Sequence, residues 1–168
     1  MDQLLKRLQK DYANISFEIS DNFCWSPSRR IIYYTDNSSV GENSSWALLH
    51  ELAHAILDHN NYSSDIELLL KEVEAWEEAK KLAQRYGLNI DEDHIQDCLD
   101  TYRDWLHRRS KCPKCKINTT QENHEQYKCF NCQTTWRVSS SRFCRPYRLT
   151  KRTQTKKSAG AKLKTTFT

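Results

Sequence analysis

The sequence has no run of about 18 apolar residues, the length a membrane-spanning helix requires. Its first ten residues, Met1 to Lys10, are charged and lack the apolar region of a secretory signal. We therefore expect a cytoplasmic protein without a membrane partner. The apolar fraction, 38% of 168 residues, is below the globular average and allows a modest core. The length fits one compact domain and a small additional module.

Acidic residues are absent from the C-terminal part of the sequence. Ten of the 26 Lys and Arg lie between 137 and 168, where no Asp or Glu occurs, so the preceding residues carry 16 basic against 22 acidic side chains. Residues 139–168 are poorer in apolar side chains than the rest of the sequence and are predicted to form a disordered basic tail. Such a tail either attracts the phosphates of nucleic acid or only aids solubility. The candidate nucleic-acid-binding residues are Arg142, Arg145, Arg148, Lys151, Arg152, Lys156 and Lys157.

Glycine and proline are also absent from residues 44–57, which contain the pattern His50-Glu51-x-x-His54. Apolar residues recur there at steps of three or four, which predicts a helix capped by Ser44 or Ser45. Positions i and i+4 share a helix face, so the two imidazoles can bind one cation. Glu51 would then accept the proton of an attacking water, as in zinc peptidases. The alternative is an amphipathic core helix with incidental histidines.

A catalytic zinc site takes three protein ligands and leaves one position open. Residues 65–86 are predicted to form a long helix with several glutamates. At about 100° per residue, Glu72 lies in the middle of the apolar face, whereas Glu74 lies about 200° away. A buried carboxylate is costly unless it is paired or binds metal, so Glu72 is the preferred third ligand. Glu74 is the fallback, because other zinc peptidases place this ligand about two residues further on.

Strand patterns precede the motif and helical patterns follow it. Residues 15–20 alternate with period two, and residues 30–35 are β-branched and aromatic, so both are predicted strands. Residues 2–13, 65–86 and 91–109 are predicted helices. Ser64 or Asp65 is predicted to cap the start of the second, and Gly87 ends it. This order indicates an α+β fold. A small N-terminal sheet would pack on the motif helix and further helices, forming a zincin-like metallopeptidase domain over residues 1–109.

Four of the seven cysteines form two Cys-x-x-Cys pairs. Each pair can present two thiolates to one ion, and two pairs complete a tetrahedral site with no open position. Residues 110–138 are therefore predicted to form a zinc ribbon that binds a structural zinc and depends on that metal for folding. The predicted ligands are Cys112, Cys115, Cys129 and Cys132.

The pattern His-Glu-Leu-x-His-Ala-x-Leu-x-His, followed by Glu72, Ala75 and Ala79, resembles the ImmA/IrrE-type metallo-endopeptidases. The resemblance covers residues 14–86 and implies His50, His54 and Glu72 as zinc ligands and Glu51 as the catalytic base. It also implies one catalytic Zn²⁺ and a protein substrate, because characterised members cleave a DNA-bound repressor. His59 is interpreted as a loop residue near the site. The metzincin pattern requires a Gly before its third His, and no such Gly precedes His59.

The sequence thus favours a zinc-dependent endopeptidase whose ribbon and tail direct it to a protein partner or to DNA. Two alternatives are a nucleic-acid-binding regulator with a degenerate protease domain and a SprT-like DNA–protein-crosslink protease. An edge strand, either 23–26 or 31–34, would hold an extended substrate. Tyr62 and His94 are the candidates for stabilising the oxyanion.

Overall fold

A computed structural model of the protein describes residues 1–36, 41–123, 125–139 and 148–150. This part of the chain forms four helices and two small sheets, so the α+β class is confirmed. The helices are α1 (Asp2–Asp11), α2 (Gly41–Ile56), α3 (Asp65–Tyr86) and α4 (Glu92–Ser110). The strands are β1 (Ser16–Ile19), β2 (Cys24–Ser26), β3 (Ile31–Tyr34), β4 (Gln121–Asn123), β5 (Gln126–Lys128), β6 (Thr135–Val138) and β7 (Arg148–Thr150).

The N-terminal sheet has the strand order β1-β3-β2. Its central strand, β3, pairs in parallel with β1 and antiparallel with β2. Ile32 in the middle of β3 is fully buried, as expected for a strand covered by a helix. Since both edges of β3 are paired, the alternative that residues 31–34 accept a substrate strand is wrong. Among the described strands, β2 forms the sheet edge next to α2.

The main core lies between this sheet and the helices. Helix α2 contacts β2 and β3 on one side and packs along α3 on the other. Leu48, Leu49 and Leu52 of α2 are fully buried, as are Ala75 and Ala79 of α3. The small alanine side chains allow the two helices to approach closely, and this brings the polar residues on their facing sides together.

Two of the helix ends follow their predicted capping chemistry. The Ser64 side chain accepts a hydrogen bond from the Glu67 backbone N–H at 3.2 Å and so caps α3. Gly87 ends α3 with φ +76°, a left-handed conformation that glycine adopts without a Cβ penalty. Helix α2, in contrast, already begins at Gly41, so the prediction of a cap at Ser44 or Ser45 is wrong. Glu42 in the first turn complements the helix dipole at this earlier start.

The second sheet is an antiparallel meander, β4-β5-β6-β7. Strands β5 and β6 flank the second cysteine pair and bury Tyr127 and Trp136, whose rings stack with centroids 5.5 Å apart. Strand β7 corrects the expectation that all of residues 139–168 are disordered, because residues 148–150 pair with β6. Backbone hydrogen bonds along the open edge of β6 favour a fourth strand there even for a polar sequence.

Candidate metal centres

Helix α2 places the two motif histidines on one face, as the i, i+4 spacing predicts. The Nε2 atoms of His50 and His54 lie 3.1 Å apart, and the ring planes are nearly perpendicular. The ring of His50 also stacks on Trp76 of α3, with centroids 4.1 Å apart. This stacking restricts the rotation of His50 and keeps its Nε2 directed towards His54.

The third donor at this point is Glu72 of α3. Its Oε2 lies 3.2 Å from His50 Nε2 and its Oε1 lies 3.7 Å from His54 Nε2. The ligand atoms of these three residues all lie within 4.8 Å of one another, so the group could hold a metal ion. Burial alone would raise the pKa of Glu72. Hydrogen bonds and electrostatic attraction from the two imidazoles outweigh burial and lower the pKa, which keeps the carboxylate ionised.

The fallback residue, Glu74, lies elsewhere. Its side chain is 64% exposed, and its Oε2 is 3.3 Å from Nε2 of His59. Glu72 and Glu74 therefore take different positions: the first faces the two motif imidazoles and the second faces the loop after α2. The difference follows from the helical period, because a step of two residues turns the side chain to the other side of α3.

Glu51 lies between the two imidazoles and the open edge of the sheet. Its Oε2 accepts a hydrogen bond of 2.7 Å from the backbone N–H of Trp25 in β2. Glu51, His50, His54 and Glu72 all line one cleft of about 530 Å³, together with residues 23–25 and 59–62. The cleft is thus bounded by a strand edge on one side and by the loop after α2 on the other.

The two oxyanion candidates differ in position. Tyr62 lines the cleft, whereas His94 is absent from the described lining. His94 packs instead between Trp46 and Trp76, with ring centroids at 5.0 and 5.7 Å. His94 therefore packs against Trp76, the residue that stacks on His50. The stacking of Trp76 on His50 was not predicted from the sequence; the position of Trp76 four residues after Glu72 was the available signal.

The four predicted cysteines also come together. Sγ of Cys112 lies 3.6 Å from that of Cys132, and Sγ of Cys115 lies 3.4 Å from that of Cys129. All four sulfur atoms are within 4.8 Å of one another, and this group could also hold a metal ion. Hydrogen bonds with the side chain and backbone of Thr134 lower the pKa of Cys132 to about 6, which favours the thiolate that a metal needs. At Cys129 a backbone hydrogen bond from Cys132 is outweighed by burial and the contact with Cys115, and the pKa is raised to about 11.

The two cysteine loops share the same backbone conformation. Residue 116 follows the first pair and residue 133 the second, and both have a positive φ. Their N–H groups donate back to the carbonyls of Cys112 and Cys129, at 3.0 and 2.9 Å. Two equivalent loops that face each other present four sulfur atoms around one point. This arrangement fits the tetrahedral geometry of a closed metal site.

A buried ion pair connects the cysteine-bearing segment to the helices. Arg109 at the end of α4 donates from Nε to Oδ2 of Asp65 at 2.7 Å, and both side chains are 2% exposed. Tyr127 of β5 donates its hydroxyl to the same carboxylate, and burial together with this bond raises the pKa of Tyr127. Gln121 accepts from the Asp65 backbone N–H at 2.7 Å. The first residue of α3 is therefore held by the cysteine-bearing segment.

Most of the proposed nucleic-acid residues fall outside the described part of the chain. Arg142, Arg145, Lys151, Arg152, Lys156 and Lys157 are not described, and only the backbone of Arg148 is, in β7. Their role stays a prediction. Within the described residues, no helix is long and apolar enough to span a membrane.

Comparisons with protein-family models, curated proteins and solved structures find no match to this chain.

Proposed function

We propose that this protein is a zinc-dependent endopeptidase that hydrolyses peptide bonds of a protein substrate. His50, His54 and Glu72 would hold the catalytic zinc, and the four cysteines would hold a structural one. The donor sets fit this assignment, because two imidazoles with one carboxylate leave a position open and four thiolates do not. Zinc in the first site would polarise the peptide carbonyl and make water nucleophilic at neutral pH.

The observation that carries the proposal is the position of Glu51. A pure binding site has no need for a carboxylate beside its ligands, whereas a hydrolase needs a base there. Glu51 faces the cleft next to His50, and the Trp25 N–H fixes its orientation at 2.7 Å. It would accept a proton from the attacking water and later return it to the leaving amine. Tyr62, on the loop side of the cleft, is the candidate for stabilising the oxyanion.

The open edge of β2 supports an extended polypeptide as the substrate. The N–H of Trp25 points away from β3 and towards Glu51, so this edge faces the proposed base. An added strand would lie along the cleft and bond to main-chain groups of this edge other than the Trp25 N–H, which Glu51 occupies. The third donor, Glu72, is a carboxylate. This favours an ImmA/IrrE-like endopeptidase over a SprT-like protease, where the third ligand is a histidine.

We also propose that the basic tail brings the enzyme to nucleic acid, so that the substrate would be a DNA-bound regulator. Ten Lys and Arg with no acidic residue between 137 and 168 support this part.

The test is cleavage of a peptide library by the full-length, zinc-loaded protein, read by mass spectrometry. Glu51→Gln should keep its zinc and lose about 10²–10⁴-fold in rate, because an amide cannot accept the proton. Glu77→Gln is the matched control, since Glu77 is 59% exposed and pairs with Lys80. Cleavage by Glu51→Gln at the wild-type rate would exclude Glu51 as the base, and no cleavage by any zinc-loaded form would refute the proposal.

A further inference from the structure

Helix α2 ends in a turn that places a third histidine beside the motif. The backbone N–H of His59 donates to the carbonyl of His54 at 2.9 Å, and that of Asp58 donates to Ala55 at 3.4 Å. This pair of bonds is the Schellman arrangement, with Asp58 in the left-handed position at φ +51°. Aspartate tolerates this conformation better than most residues. The turn reverses the chain and brings the His59 ring under that of His54.

If Nε2 of His54 binds a cation, the contacts of the two rings specify one arrangement of protons. Nδ1 of His54 lies 2.9 Å from Nδ1 of His59, and Nε2 of His59 lies 3.3 Å from Oε2 of Glu74. A histidine that presents the lone pair of Nε2 to a cation carries its proton on Nδ1. His54 then donates to His59, and His59 donates from Nε2 to the Glu74 carboxylate. Each donor in this series of two hydrogen bonds has an acceptor.

From this geometry we propose that His59, held by Glu74, is a positioning residue that fixes the tautomer and orientation of His54 for metal binding. Hydrogen-bond partners of metal ligands typically change metal affinity by about 10–100-fold when removed. His59 is itself excluded as a ligand to the same ion by its geometry, because it contacts His54 on the ring nitrogen opposite Nε2. The inference rests on the proposed metal site of His50, His54 and Glu72.

Burial distinguishes this contact from a surface pair. His59 is 8% exposed, although it lies in a polar loop, and the loop is held in place by Lys71, which donates to the carbonyl of Asn61 at 2.7 Å. His50 has no such partner: its Nδ1 is buried without a hydrogen bond among the described residues. Its orientation depends on stacking against Trp76. The two motif histidines are therefore held by different means, and only His54 should respond to changes at residue 59.

The test is titration of the full-length protein with cobalt(II), read by its visible spectrum. Thiolate ligands give cobalt charge-transfer bands that imidazole and carboxylate ligands do not, so the two sites are read separately. His59→Phe fills the volume without an acceptor and should weaken cobalt binding at the histidine site by about 10–100-fold. His59→Asn places an amide oxygen near the position of Nδ1 and should recover most of this loss. The band shape of the bound form should also return towards that of the wild type.

Glu74→Ala provides a variant whose folding is not in question, because the Glu74 side chain is 64% exposed. It should weaken cobalt binding in the same direction, by up to about tenfold. Glu77→Ala, on the same helix and 59% exposed, is the matched control and should bind cobalt as the wild type does. Wild-type affinity in both His59→Phe and Glu74→Ala would overturn the inference. Failure of the wild type itself to bind cobalt at the histidine site would instead refute the proposed metal site.

Discussion

Asp65→Asn should destabilise the protein strongly, because it removes the charge that compensates a buried arginine. Asp65 and Arg109 are each 2% exposed, and the carboxylate receives bonds from Arg109 and Tyr127. Removing one partner of a buried ion pair typically costs about 3–5 kcal/mol, since the other charge stays buried and unpaired. With a urea dependence of about 2 kcal/mol per molar, the unfolding midpoint should fall by about 2 M.

The assay is urea unfolding of the zinc-loaded full-length protein at fixed zinc concentration, because bound metal contributes to the apparent stability. Arg103→Met is the control and lies on the same helix as Arg109. Its ion pair with Asp100 is 44% and 65% exposed, and such surface pairs contribute about 0–1 kcal/mol. The double variant Asp65→Leu with Arg109→Met removes both charges and should be far less destabilised than Asp65→Asn. A loss below about 1 kcal/mol in Asp65→Asn would refute the reasoning.

Two further predictions concern the C-terminal half. Cys112→Ser should release one zinc and lower the stability of the whole chain, because Tyr127 and Gln121 hold Asp65 at the start of α3; an unchanged main melting transition would show that the cysteine segment folds separately. Truncation after Thr150 keeps β7 and removes Lys151 and the basic residues that follow, so binding to duplex DNA, measured by fluorescence anisotropy, should weaken. The salt dependence should fall by about 0.9 in log–log slope per lost phosphate contact. Equal binding by the full-length and the truncated protein would assign the distal tail to solubility alone.

Local sequence signals predicted most of the helices, because caps and periodicity act over a few residues. Ser64 caps the start of α3 and Gly87 ends it, as expected. The period of that helix correctly separated Glu72 from Glu74. The order of the strands was beyond such signals, since alternation identifies a strand but not its neighbours. For this reason residues 31–34 could be taken for an edge, although β3 lies between β1 and β2.

Contacts between distant residues were also not predictable. Asp65 and Arg109 are 44 residues apart and Asp65 and Tyr127 are 62 apart. Each of these residues, considered alone, resembles a surface residue. The Schellman turn at Asp58 was missed because its left-handed position carries aspartate where glycine is the usual signal.

The zinc content of purified wild type and of Glu72→Gln, measured by elemental analysis, tests the central claim most directly. Glu72 belongs to the histidine site and not to the cysteine site, and its side chain is only 8% exposed. We predict two zinc ions per chain in the wild type and one in Glu72→Gln, with the remaining ion at the four cysteines. Two zinc ions in Glu72→Gln, or only one in the wild type, would contradict the assignment of a catalytic zinc to His50, His54 and Glu72.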